Sequence, residues 1–179
     1  MWTRLLFCGS VLLGVVACVN DPSEVAALFP EARPDAEVIT DFETIYSDSA
    51  RIRVRISGPK MLRYQQGAET IQLFPEGTFV EFFDDAGEVS STLASKYSIR
   101  YEDTERVIVR DSVVWQAAKG DRLDTEELTW VAADEKIFSD KFVRLKQGDK
   151  VITGVGFESN QDFTRSKVRA INGIVRAGE

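Results

Sequence analysis

The segment "RIRVRI" (51–56) alternates apolar and cationic residues without interruption. A period of two places Ile52, Val54 and Ile56 on one face of a β-strand and the arginines on the other. Similar runs occur at "GTFVEFF" (77–83), "STLASKYSIRY" (91–101), "RVIVRDSVVWQ" (106–116), "DRLDTEELTW" (121–130), "KIFSDKFVRLK" (136–146), "KVITGVGFE" (150–158) and "GIVRA" (173–177). The pattern predicts about eight strands.

The segments between these runs are short and rich in turn residues, such as "DDAGE", "AKGD", "ADE" and "QGD". Only residues 29–45 and 61–66 are compatible with helix. Strands recurring at about ten- to fifteen-residue spacing predict an all-β fold, an antiparallel sandwich or roll.

The first seventeen residues have the layout of a secretory signal peptide, because Arg4 precedes an apolar run from Leu5 to Val16. That run is shorter than the roughly 20 residues that a membrane-spanning helix needs. It ends in "VVAC", which resembles the lipobox of bacterial lipoproteins, whose cysteine is lipidated and becomes the first residue. We predict a signal peptide over 1–17, lipidation of Cys18, a proline-containing tether over 18–44 and a folded domain over 45–179. A plain signal peptide with a chance cysteine is the alternative.

Composition excludes several kinds of chemistry. The formal charge of −7 argues against nucleic-acid binding. The chain has no histidine, and both cysteines, Cys8 and Cys18, precede the predicted domain. The common general base, the Ser-His and Cys-His catalytic arrangements and disulfide bonds are therefore absent from that domain. We predict no catalytic site, no metal site and no cofactor.

Residues 120–130, "GDRLDTEELTW", are the strongest candidate for acid–base chemistry, because they carry Asp121, Asp124, Glu126 and Glu127. A paired-carboxylate hydrolase needs two acids facing each other across a cleft. On a strand, however, most of these acids share the face opposite Leu123. A bulge near Glu126 and Glu127 would return the later apolar residues to the Leu123 side. We therefore interpret the acids as a solvated face.

Three other segments have simple structural interpretations. Asp84 and Asp85 precede "AG" as in a hairpin turn, without the spacing of an EF-hand. "GVGFES" (154–159) lacks the Lys-Ser/Thr ending of a phosphate-binding loop. The arginines of "RIRVR" are interpreted as solvated charges, with a role near an anionic ligand as the alternative.

Several longer strings resemble one family. "YSDSARIRVRISGPKMLRY", "FPEGTFVEFFDDAGEVSSTLASKYSIRYED", "DRLDTEELTW", "KIFSDKFVRL" and "ITGVGFESNQDF" are similar, in this order and spacing, to the LptC family, above all its Bacteroidetes-type lipoprotein form. The resemblance covers about residues 40–175. It implies an open β-jellyroll on the periplasmic side of the inner membrane.

The same resemblance implies a function and partners. A protein of this family receives lipopolysaccharide, by its lipid A acyl chains, from the LptB, LptF and LptG transporter and passes it to an LptA-type bridge protein. Better-known members are held by a spanning helix, whereas this chain carries Cys18 and a tether. A second hypothesis is a structural or interaction lipoprotein of the envelope, with a solid core and no lipid cargo. An enzyme acting on polysaccharide is the third, and it requires acid pairs facing inward.

Strand parity predicts the inward face of the roll. The expected lipid-groove residues are Ile52, Val54, Ile56, Val80, Phe82, Leu93, Tyr97, Ile99, Val113, Trp115, Leu123, Leu128, Trp130, Val143 and Leu145. A photoreactive residue at Val54 or Trp115 is expected to crosslink lipopolysaccharide, and one at Arg53 is not.

The end of the chain is the expected partner interface. The resemblance implies that a glycine of the late strand, Gly154 or Gly156, contacts the transporter; a glycine that only shapes a bulge is the alternative. At an interface, arginine substitutions would leave the melting temperature nearly unchanged. The edge formed by residues 171–177, including Ile171, Gly173, Ile174 and Val175, is the expected contact for an LptA-type strand.

Overall fold

The computed structural model of the protein describes residues 35–176. They form a single antiparallel sheet of eleven strands. In chain order these are β1 (Glu37–Asp48), β2 (Arg51–Gln66), β3 (Glu69–Phe74), β4 (Thr78–Phe83), β5 (Val89–Ser95), β6 (Tyr97–Tyr101), β7 (Arg106–Ala117), β8 (Arg122–Val131), β9 (Lys136–Gln147), β10 (Lys150–Asn160) and β11 (Ser166–Arg176). One 3₁₀ turn (Ala132–Asp134) lies between β8 and β9. The predicted all-β antiparallel fold of the jellyroll type is confirmed.

The sheet is a meander in which two of the long strands are interrupted. β3 and β4 both pair with β2, and together they form one strand that bends at residues 75–77. β5 and β6 form the next strand, interrupted at Lys96, and both pair with β7. Every long strand therefore lies beside its successor in the sequence. Among the described strands, β1 and β11 are the two edges.

Glycine permits the bend between β3 and β4. Gly77 has a φ of 97°, which L side chains rarely adopt, and a Cβ there would lie 2.6 Å from the carbonyl oxygen of Ser95. A Cβ on Gly58 of β2 would in turn lie 2.6 Å from the Gly77 carbonyl oxygen. The three backbone segments approach too closely for any larger residue at these two positions.

The predicted boundary between tether and domain is wrong. β1 begins at Glu37, inside the predicted tether and the first helix-compatible segment, and it pairs with β2 along almost its whole length. The alternation of β1 is interrupted at Asp41, which has a φ of 50° and no partner in the register. The interruption conceals the period of two.

The second helix-compatible segment, residues 61–66, is the end of β2. Met61 and Leu62 are both buried, in different clusters, because this part of the strand is covered on both faces. A strand covered on both faces shows no alternation in its sequence. β11 also begins earlier than predicted, at Ser166 and not at residue 173.

Candidate functional site: an apolar inner face with an open cleft

An apolar ladder crosses the inner face of the sheet. Residues directly opposite each other on neighbouring strands point to the same face. From β2 to β11 the register joins Ile56, Val80, Leu93, Trp115, Leu123, Leu145, Ile152 and Ile174. All of these residues are apolar, so the ladder runs without a polar break across the strands. Sequence analysis placed six of these eight residues on the inward face. It named Ile174 only as part of the partner edge, and it did not identify Ile152.

One end of this inner face is filled by the protein's own side chains. Leu123, Val143 and Phe157 are fully buried there. Phe163, from the turn between β10 and β11, stacks on Trp115 with ring centroids 4.3 Å apart and an interplanar angle of 15°. The predicted groove residues Leu93, Val113, Trp115, Leu123, Leu128, Val143 and Leu145 belong to this core, with Phe82 and Trp130 packed against it. They face inward as predicted, but they do not line an open space.

The other end of the inner face contains a small open cleft of about 70 Å³. That volume is below the range of about 300–1,000 Å³ typical of pockets that enclose a whole ligand, so the cleft can hold only part of a larger molecule. Its apolar lining consists of Phe42, Ile56, Met61, Phe74, Val80, Val107 and Val109, and its polar lining of Thr44, Tyr46, Gln72, Thr78, Ser98 and Arg100. Of the predicted groove residues, only Ile56 and Val80 line it. Sequence analysis missed Phe42 and Met61 because they lie in the segments assigned to tether and helix.

Three hydroxyl groups lie where the two interrupted strands meet. Thr78 Oγ1 is 3.0 Å from Ser95 Oγ and 2.7 Å from Ser98 Oγ, and the two serine oxygens are 2.8 Å apart. All three residues are buried. Each hydroxyl can donate one bond and accept another, so the three can satisfy one another in a closed ring. The ring closes the gap in the sheet without exposing an unpaired polar group to the cleft.

Tyr97 and Ile99 were predicted to face inward, and this is wrong. They pack with Leu62 and Leu73 in a separate cluster. Their neighbours in the strand, Ser98 and Arg100, line the cleft instead. The interruption at Lys96 shifts the parity by one residue, so the alternation of β5 does not continue into β6.

The first residues of β2 are less enclosed than predicted. Ile52 lies two residues after the Ser49–Ala50 turn and is 38% exposed. Val54 is half-buried and lies opposite Phe82 on β4. Val54 therefore shares the face of Phe82, and Ile52, two residues earlier in the same strand, lies at the exposed end of that face.

The acids of β8 lie on the face opposite the apolar ladder. Arg122 Nη2 is 2.6 Å from Asp124 Oδ1, and Arg110 Nε is 2.6 Å from Glu127 Oε2. Glu126 is exposed. Leu123 and Leu128 are nevertheless buried in the same core, because the β8–β9 register shifts between Thr125 and Thr129. The predicted bulge and the solvated face are confirmed, and no two acids face each other across the cleft.

Gly154 and Gly156 are buried against β11 of the same chain. A Cβ on Gly154 would collide with the carbonyl oxygen of Ala170 and lie 2.6 Å from Val168 Cγ1. Gly156 has a φ of 82°, and the β9–β10 register shifts there. This geometry favours the bulge over an interface. A nearly unchanged melting temperature was expected only for an interface, and on this geometry we expect arginine at either position to destabilise the fold.

β11 pairs with β10 along one edge, and its other edge has no partner among the described strands. Ile171, Ile174 and Val175 are 53%, 60% and 59% exposed, and Gly173 is half-buried. Ile174 lies opposite Ile152 and Ile171 opposite Gly154, so both isoleucines share the inner face. The predicted partner edge is thus exposed and apolar, and its role as an interface stays a prediction.

Cys18, the signal peptide and most of the predicted tether lie outside the described residues. Within residues 35–176, no helix is long and apolar enough to cross a membrane. That same part of the chain contains no group of three or more histidines, cysteines, aspartates or glutamates placed to hold a metal ion.

Comparison with known proteins identifies the family. The model of the family "Lipopolysaccharide-assembly, LptC-related" matches residues 31–169, which include all of β1 to β10 and the start of β11. No individual curated protein gives a significant match. The family acts in lipopolysaccharide transport as a non-enzymatic periplasmic component. The chain belongs to the LptC-related family of lipopolysaccharide-assembly proteins.

Proposed function

We propose that the protein is a carrier and bridge for lipopolysaccharide. It accepts the lipid from the inner-membrane LptB, LptF and LptG transporter and passes it to an LptA-type bridge protein. The acyl chains of lipid A lie against the apolar inner face, where burial contributes about 0.8 kcal/mol per CH₂ group. The transporter supplies the energy, and the carrier needs no catalytic group or cofactor.

The continuity of the apolar ladder carries this proposal. The ladder begins at Ile56 and Val80 in the open cleft and ends at Ile174, which is 60% exposed on an unpaired strand. A core that only stabilises the fold has no need to extend to an open edge. A surface that transfers acyl chains to a neighbouring protein must extend to the edge that the neighbour contacts.

The unpaired edge of β11 is the proposed contact for the LptA-type protein. A partner strand added there would pair with the free backbone groups of β11 and cover Ile171 and Ile174. The inner faces of the two proteins would then form one continuous apolar surface. Lipidation of Cys18 would hold the protein at the periplasmic face of the inner membrane, as the sequence pattern predicts.

Photocrosslinking to lipopolysaccharide tests the carrier role. A photoreactive residue at Val80, in the cleft, is expected to crosslink the lipid in cells. The matched control is the adjacent Glu81, which points to the other face. Its Oε2 atom lies 3.0 Å from Arg55 Nη1. Trp115 is a poorer site than sequence analysis suggested, because Phe163 covers it. Equal labelling at Val80 and Glu81 would contradict the proposal.

A second function, a structural or interaction lipoprotein with no cargo, is favoured by the filled core beneath β7 to β11. Such a protein would show no lipid adduct at Val80. It would still be recovered with envelope partners through the β11 edge. The same crosslinking experiment, with the protein immunoprecipitated from cells, therefore separates the two functions.

A further inference from the structure

The open cleft has one charged lining residue, Arg100. Its Nη1 donates a hydrogen bond to the hydroxyl oxygen of Tyr46, and its Cζ lies 5.4 Å from the centroid of the Tyr46 ring. Tyr46 also lines the cleft, so ring and hydroxyl together hold the guanidinium beside an apolar cavity.

Arg100 differs from the other arginines among residues 35–176. Most of them lie within 4 Å of a carboxylate, as Arg63 does with Glu102. Those without such a partner, among them Arg106, are exposed, whereas Arg100 is half-buried. Glu102 lies near enough to interact with Arg100, but its two oxygens accept hydrogen bonds from Arg63 at 2.8 and 3.0 Å.

A half-buried guanidinium without a carboxylate partner, beside an apolar cleft, is suited to bind an anionic group on a molecule that also has an apolar part. Arginine binds phosphate in a bidentate manner, and its other N–H groups have no hydrogen-bond partner among the described residues. The chain as a whole carries a formal charge of −7 and would repel an anion at long range. Selectivity for an anionic lipid must therefore come from a local contact.

We propose that Arg100 binds a phosphate group of an acylated glycolipid whose acyl chain contacts the apolar lining of the cleft. This inference rests on the carrier function proposed above and names the headgroup chemistry that the site selects. Tyr46 acts as a positioning residue, because it restricts the rotamers of Arg100 without competing for a negative charge.

Binding of two lipids to the full-length protein in detergent tests the proposal. The probes are lipid A with its phosphates and the same lipid A with the phosphates removed. Wild-type protein is expected to bind the phosphorylated form about tenfold more tightly, which corresponds to about 1.4 kcal/mol. Arg100→Ala should abolish that preference, so that the mutant binds the two lipids with equal affinity.

Arg106→Ala is the matched control. The Cζ of Arg106 lies 4.3 Å from the centroid of the Tyr101 ring, but the residue does not line the cleft. It should retain the tenfold preference. Tyr46→Phe keeps the ring and removes the hydroxyl, so the preference should fall only in part. Thermal unfolding of each variant shows that the fold is intact.

The outcomes separate this inference from the carrier function. If wild-type protein binds both lipids equally, or if Arg100→Ala keeps the preference, the assignment of Arg100 is wrong and the carrier function stands. If neither lipid binds to wild-type protein, the carrier function itself fails.

Discussion

Trp115 on β7 and Phe163 in the turn between β10 and β11 stack face to face, although they are far apart in the sequence. Phe163 holds this position with a φ of 55°, a conformation that is unfavourable for an aromatic residue. The Trp115 Nε1 atom is buried and has no hydrogen-bond partner among residues 35–176. The turn therefore closes one end of the inner face at a local energetic cost.

Phe163→Ala removes this closure. We expect a loss of stability below the about 3–5 kcal/mol of a fully buried phenylalanine, because Phe163 is only half-buried. Labelling by a photoreactive residue at Trp115 should increase, since the filled end becomes open to lipid. Denaturant unfolding measures the first effect and crosslinking the second. Unchanged labelling would show that the closure does not limit lipid access.

Gly154→Ala is expected to destabilise the protein strongly, because its methyl group collides with the backbone of β11. Gly156→Ala should cost about 1–2 kcal/mol, the usual penalty for an L residue with left-handed backbone. The control is Gly173→Ala, where the nearest atom is Thr153 Oγ1 at 3.3 Å and no positive φ is required. Unfolding curves in urea measure all three. A Gly154→Ala protein as stable as the wild type would refute the structural role of this glycine.

Ser98→Ala opens the hydroxyl ring and leaves Thr78 and Ser95 each one partner short. An unsatisfied buried hydroxyl costs about 1–3 kcal/mol, so the melting temperature should fall measurably. Ser90→Ala is the comparison, since Ser90 donates a single exposed bond to the Phe82 carbonyl oxygen. Equal shifts for the two variants would mean that the ring contributes no more than a surface bond.

The Arg63–Glu102 pair predicts a pH dependence. The hydrogen bond from Arg63 lowers the pKa of the Glu102 carboxyl below its ordinary value of 4.5. A carboxyl whose pKa is lower in the folded state stabilises the fold above its unfolded pKa and loses that contribution as pH falls through the folded pKa. Arg63→Gln should therefore be less stable than wild type at pH 7, and the two curves should converge below about pH 4. A difference in stability that does not shrink as the pH falls through the acidic range would show that packing and not charge is responsible.

Removal of β1 tests the corrected domain boundary. Phe42 is buried, and its ring centroid lies 5.2 Å from that of Phe74. A protein that begins at residue 45 loses this contact and exposes one edge of β2, so it should be less stable than one that begins at residue 35. Hydrogen exchange of the β2 amides measures the difference. Identical protection in the two proteins would restore the boundary predicted from the sequence.

Alternation predicted the strands that are buried on one face only. "RIRVRI" and the segments around Leu123 and Leu145 show their faces directly, and the bulge in β8 follows from parity alone. The structure differs from the prediction where a strand is interrupted at a residue whose type gives no sign of the interruption. Lys96 shifts the parity of β6 and reverses Tyr97 and Ile99, and Asp41 conceals the period of β1.

The cleft was not predictable as such. Sequence parity states which face a residue points to, but not whether that face is filled. Trp115 and Val80 share a ladder, yet one is covered by Phe163 and the other lines open space. Arg100 was missed for a different reason. Its inward position depends on the parity shift at Lys96, which the sequence does not reveal.

The meander connectivity also has a kinetic consequence. Because each long strand pairs with its successor, the described sheet contains no pairing between long strands that are distant in the chain. The loop-closure entropy lost at each step is small, so folding can proceed one hairpin at a time from either end. If β11 is the partner edge proposed above, a strand from a second protein would add to it by the same backbone pairing that joins β10 to β11, as one further hairpin step.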